Sequence, residues 1–201
     1  MISDQRLLGI AAIVYAVAGI AAYWSILGAG FLGDDWMFLD LIERAKNALV
    51  AFAPLNGRYT RPLIVLVYYF NYRWFGLWPV PAHGILLALH IANSWLVCVF
   101  VLRLARPISV YSAYSLGLHS IYSVAQNQLI AFGSGLLFLV FAGHSEAISW
   151  VAGMADALVV PFAIGSLLLL DRAIVADRPV RAIVLACGRR QRASARIATP
   201  E

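Results

Sequence analysis

Uncharged apolar runs dominate the chain. Residues 7–33, 74–102 and 107–145 contain no Asp, Glu, Lys or Arg, and residues 147–170 contain only Asp156. Roughly 20 apolar helical residues cross a bilayer core about 30 Å thick, so each run predicts a spanning helix. The period-2 alternation of a membrane barrel is absent, and open strands cannot cross lipid without leaving backbone groups unpaired. The pattern therefore predicts an all-α integral membrane protein with about four transmembrane helices, the first within residues 1–33 and the others at about 81–102, 123–143 and 152–171.

Composition agrees with this. The 201 residues are 62% hydrophobic and only 12% charged, with a mean hydropathy of +0.81, against about 45–50% apolar and about 25% charged in soluble domains. The first run exceeds the usual h-region of a cleavable signal peptide, about 7–15 residues, and is read as a retained anchor. Cys98 and Cys187 fall in a predicted span and in a basic tail, which supplies no disulfide framework.

The net charge of +5 does not point to nucleic acid, because Arg178, Arg181, Arg189, Arg190, Arg192 and Arg196 are all in the tail. The positive-inside rule accounts for them, and for Arg6, Arg103, Arg106 and Arg172 at span ends. Both termini are then cytoplasmic, in a bacterial-type plasma membrane, with residues 176–201 a disordered basic tail. Residues 34–80 form an outer loop. One crossing between Arg106 and His144 satisfies this topology, leaving residues 108–122 as an interfacial or packed helix.

Within the outer loop, residues 36–52 read as a short amphipathic helix. Residues 62–80 hold Tyr68, Tyr69, Phe70, Tyr72, Trp74, Phe75 and Trp78, rings that favour the headgroup level, and predict a helix along the membrane surface.

The candidate chemistry lies at the edges of these spans. A helix ending near Gly33 would place Asp34 and Asp35 at the negative end of its dipole, unfavourable by about 0.3–1 kcal/mol each. A solvated helix stop and a functional acidic pair are equally good readings of that position. Glu146 at the next outer boundary and Asp156 beyond it favour function, since ionisable groups at membrane depth are costly. Glu146, Ser149, Trp150 and Gly153 are spaced to share one helical face. His144 beside Glu146 either joins a metal site or caps its span. His83, His90 and Asn93 share a face of the second span; the two histidines are roughly 10 Å apart along it, which favours interhelical hydrogen bonds over a shared metal. Arg58 and Arg61 stand where the positive-inside rule does not call for arginine, and guanidinium groups there suit phosphate, whether of a headgroup or of a lipid-linked substrate.

Several segments together resemble a known family. DDW at 34–36, YTRPL at 59–63, FNYRWFGLWPVPAHGILLALHIAN at 70–93 and HSEAISWVAGMADAL at 144–158 are similar, in that order, to the N-terminal half of multi-pass glycosyltransferases of the GT-C fold. The nearest likeness is to transmembrane and tetratricopeptide-repeat O-mannosyltransferases and their bacterial relatives. The resemblance implies a partial GT-C-like bundle and a polyisoprenyl-phosphate-linked sugar as donor, with membrane lipid and an acceptor protein or glycan as the other partners. It implies a catalytic role for Asp34, Asp35 and Glu146, with either aspartate as base. Phosphate would fall to Arg61 with Arg58, and the orientation of acceptor or of a divalent metal ion to His144 and Asp156. The chain departs from the family pattern at Ser145, Met154 and Leu86. Its spans stop at about four, which reads as the N-terminal portion of a longer enzyme. The runner-up reading is a non-catalytic membrane protein that binds lipid or a partner subunit; a transporter using Asp156 and the histidines is third.

Overall fold

A computed structural model describes residues 3–55, 59–115 and 124–176. Seven α-helices occupy these residues: α1 (Asp4–Tyr23), α2 (Asp35–Glu43), α3 (Pro62–Phe75), α4 (Val80–Ser115), α5 (Val124–Val140), α6 (Ser145–Ser149) and α7 (Met154–Ala176). The protein is an all-α membrane protein. Three segments, Asp4–Gly28, Val80–Ala105 and Val151–Ala173, are long and apolar enough to cross a bilayer, and the bent pair Ala125–Val140 and Ala142–Ser149 makes a fourth if it acts as one span. Residues 1–161 form one compact unit; the described part of a second unit, residues 162–201, is the remainder of α7.

A three-helix core joins α1, α4 and α5. Leu7, Ala11 and Tyr15 pack with Cys98, Leu102, Ala131 and Leu139, while Ile13, Val17 and Ile20 on the far side of α1 remain exposed, as a lipid-facing surface would be. Hydrocarbon offers no water, so polar side chains in this core must find protein partners. Tyr15 donates to the Phe132 carbonyl at 2.6 Å and Trp95 Nε1 to the Leu8 carbonyl at 3.0 Å. Tyr15→Phe should therefore destabilise the bundle by about 1 kcal/mol, measurable as a lower midpoint of thermal unfolding in detergent, with the fold retained.

The end of α5 shows why the chain turns there. The last carbonyls of a helix lack intrahelical partners. Here the Leu139 carbonyl accepts from the Tyr23 hydroxyl at 2.7 Å and lies 2.9 Å from His90 Nε2, and the Phe138 carbonyl lies 3.0 Å from His144 Nδ1. These caps accompany a 47° bend into the segment that carries α6.

A second core gathers α2, α3 and the starts of α4 and α7 around Phe38, Ile42, Tyr68, Leu86, Val151 and Met154. Pro62 opens α3 at a position where its missing N–H costs nothing, and Gly76, at φ +62°, closes the helix by donating to the Tyr72 carbonyl at 2.8 Å. Of the rings singled out in the sequence, Phe70, Trp74, Phe75 and Trp78 are exposed, whereas Tyr68 and Tyr69 turn inward and are buried in this core.

Several local expectations are corrected. Helix α1 stops at Tyr23, a 3-10 turn carries the chain to Gly28, and the acidic pair opens α2 instead of closing the first span. Asp34 and Asp35 thus stand at the favourable, positive end of a helix dipole. Residues 36–52 are not one helix: α2 ends at Glu43, and a separate 3-10 turn, Ala48–Phe52, starts where the Asn47 side chain accepts the Leu49 N–H at 3.0 Å. Residues 108–115 continue α4 without a break; residues 116–123 and the basic tail lie outside the described residues.

Candidate functional site

The structure separates the two adjacent aspartates. Gly33, at φ +48°, makes a tight turn that a residue with a Cβ rarely adopts. It sends the Asp35 side chain back toward Leu32, whose N–H donates to Asp35 Oδ2 at 2.8 Å. The other carboxylate oxygen, Oδ1, accepts from the Tyr68 hydroxyl at 2.5 Å and from the Ala152 N–H at 2.8 Å. Asp35 is fully buried at 0% exposure. Burial, and after it the Asp35 carboxylate, push the Tyr68 hydroxyl well above its usual range, so Tyr68 stays a donor. Asp34 is exposed and its side chain makes no capping hydrogen bond.

Asp34 instead lines an open cleft of about 310 Å³, with Arg61, Glu146, Trp150, Gly153 and Asp156. This is at the small end of the roughly 300–1,000 Å³ typical of ligand sites. Four segments build it: the start of α2, the residue before α3, α6, and the joint leading into α7. Glu146, Trp150 and Gly153 do not reach it on one continuous helical face. Helix α6 ends at Ser149, Trp150 is extended at φ −108° and ψ 117°, and a 3-10 turn, Val151–Gly153, follows. The break is pinned by Trp150 Nε1, which donates to the Leu32 carbonyl at 3.1 Å. Ser149, expected on the same face, is not part of the cleft lining.

Among the described residues, Arg61 is the cationic group of this cleft. Its guanidinium carbon lies 5.0 Å from the Tyr59 ring centroid, a cation–π placement, and it forms no ion pair among the described residues. Arg58, the other expected phosphate ligand, lies outside the described residues. Three carboxylates share the lining with this one guanidinium. Among the described residues no group of three or more His, Cys, Asp or Glu is arranged to hold a metal ion, so a divalent ion finds no preformed three-ligand cage there.

His144 caps its span and is not part of the cleft lining. With His90, Asn93 and Phe138 it lines a second, smaller cavity of about 150 Å³, which shares Ala147 and Asp156 with the cleft. His90 and His144 contact α5 carbonyls as described, and Asn93 Nδ2 donates to the Ala157 carbonyl at 2.7 Å. His90 and Asn93 therefore make the interhelical bonds their spacing suggested, while His144 caps the end of its own span. His83 does not: it is fully buried, and neither ring nitrogen has a hydrogen-bond partner among the described residues. The Ala29 and Gly30 backbone, where the 3-10 turn ends, lies beside its ring.

Two residues of the site had no sequence signal of their own. Tyr68 reads as one ring among many, and its bond to Asp35 spans 33 positions. Tyr59 was visible only as part of YTR, without its role under Arg61.

No protein-family model matches the chain, and no solved structure matches it. Over 102 residues it is 35% identical to the protein O-mannosyl-transferase Tmtc3 of Drosophila melanogaster. The matched stretch is 49% of this chain, and the chain spans 11% of that protein's length. The similarity relates about half of this membrane protein to part of a protein named as an O-mannosyl-transferase.

Proposed function

We propose that the chain carries the catalytic cleft of a membrane glycosyltransferase that moves a sugar from a polyisoprenyl-phosphate-linked donor to an acceptor hydroxyl at the outer membrane face. The observation that carries this reading is the convergence of Asp34, Arg61, Glu146 and Asp156 from four separated segments on one cleft. The partial likeness to an O-mannosyltransferase supports the reaction class.

A phosphate leaving group needs little acid assistance, so the protein's main tasks are to remove a proton and hold the partners in line. The acceptor O–H gives its proton to the Asp34 carboxylate as its oxygen bonds to the anomeric carbon. The bond from that carbon to the phosphate oxygen breaks, and the electron pair leaves with the lipid phosphate. Arg61 receives the phosphate as a planar, fixed donor, and Glu146 orients the acceptor. A single displacement inverts the anomeric centre. The three carboxylates repel an anionic donor, which leaves Arg61 a large share of donor affinity.

The test is transfer from polyprenyl-phosphate hexose donors by the full chain in nanodiscs, with divalent metal supplied. Wild-type turnover is expected, and Arg61→Gln should raise KM for the donor about 10-fold or more, the loss of a charge-assisted pair. No transfer from any hexose donor, or a donor KM indifferent to Arg61, would overturn the assignment. The transport reading gains nothing, because His90 and His144 are committed to α5 carbonyls.

A further inference from the structure

We propose that Asp35, the second acid of the pair, is a positioning residue that sets the spacing of the cleft's charged groups and does not itself touch substrate. The inference rests on the function proposed above and reassigns one of its expected catalytic groups.

The geometry of the bonds carries it. The three donors to Asp35 come from three different parts of the chain, and each part bears a cleft residue close by. Leu32 belongs to the turn that presents Asp34. Tyr68 lies on α3, two helical turns after Arg61. Ala152 sits in the joint between Trp150 and Asp156. A closed circuit reinforces the arrangement. Leu32 donates its N–H to Asp35 and accepts the Trp150 indole at its carbonyl, and two residues after Trp150 the chain returns to Asp35 through the Ala152 N–H. The circuit fixes the start of α2 against the entry to α7, and Tyr68 adds α3 to the same carboxylate. With no exposed surface and every bond turned inward, Asp35 cannot take a proton from an acceptor in the cleft. Asp34, one position earlier, faces that cleft.

The two roles separate in one variant. Asp35→Asn keeps an oxygen for Tyr68 and Ala152 but presents an amide NH₂ to the Leu32 N–H. It should lower kcat about 10- to 100-fold, the scale of a misplacement of about 1 Å, with a smaller change in KM, and retain turnover well above that of Asp34→Asn. Tyr68→Phe should lower kcat about 10-fold by the same route. A second readout is independent of turnover. Spin labels at Leu63→Cys on α3 and Val159→Cys on α7, both exposed positions, in a background with Cys98→Ala and Cys187→Ala, should give one narrow distance distribution that broadens with Asp35→Asn and with Tyr68→Phe. Distances unchanged by both substitutions, or turnover of Asp35→Asn as low as that of Asp34→Asn with the distances intact, would overturn the proposal. A wild-type chain without transferase activity would remove the proposed function instead, and the distance measurement would still decide whether Asp35 holds these segments together.

Discussion

Asp34→Asn is expected to reduce sugar transfer about 10²- to 10⁴-fold, the usual contribution of a general base, and to leave the fold untouched. The side chain is exposed and caps nothing, so its removal breaks no hydrogen bond among the described residues. Asparagine preserves its size and cannot accept the proton. Donor binding should not weaken, and it should tighten slightly, because one of the three carboxylates opposing an anionic ligand becomes neutral. Single-turnover transfer at saturating donor, alongside equilibrium donor binding, separates the two effects. Weakened donor binding with an unchanged chemical step would mean that Asp34 holds the ligand and is not the base.

Gly135→Leu is expected to prevent the bundle from assembling. A Cβ at this position would lie 2.6 Å from the Ser94 carbonyl oxygen and would also collide with the Tyr15 hydroxyl. The first obstacle is the backbone of a neighbouring helix and cannot rotate away. Overpacking of this kind costs about 1–3 kcal/mol and sometimes more; here it comes where α1, α4 and α5 meet, and it displaces the Tyr15 bond to Phe132 as well. The expected readout is loss of monodisperse protein on size exclusion in mild detergent. Gly133→Leu on the same helix, where a Cβ meets nothing within 4 Å, is the control that should fold.

The sequence conveys the spans because an uncharged run of sufficient length has few other uses, but it does not separate the exposed rings of α3 from the buried Tyr68 and Tyr69. It conveys helix ends poorly. The apolar run through residue 33 suggested one continuous span, yet the α-helix ends at Tyr23 and the 3-10 turn after it ends at Gly28. Apolarity marks what lies in lipid; it does not mark where i→i−4 bonding stops. Gly28, Gly30 and Gly33 were the available warning.

The candidate site was legible in part for similar reasons. Asp34, Arg61, Glu146 and Asp156 stand out as charges beside apolar runs, and the structure brings all four to one cleft. The difference between Asp34 and Asp35 could not be read from two identical neighbours. It is decided by a tight glycine turn and by partners 33 and 117 positions away. The histidines were ambiguous because imidazole serves equally as a metal ligand or as a donor to helix-end carbonyls, and only the end of α5 at Val140 settles which carbonyls need one.

That helix end has a mechanical consequence. Tyr23, His90 and His144 together brace two adjacent carbonyls from three directions, so the corner between α5 and α6 is a bracket and not a joint. A molecule arriving beside Glu146 therefore meets a wall already in place. Accommodation falls to rotation of the exposed Asp34 and Glu146 side chains, and swinging the helices apart would strand polar groups in oil.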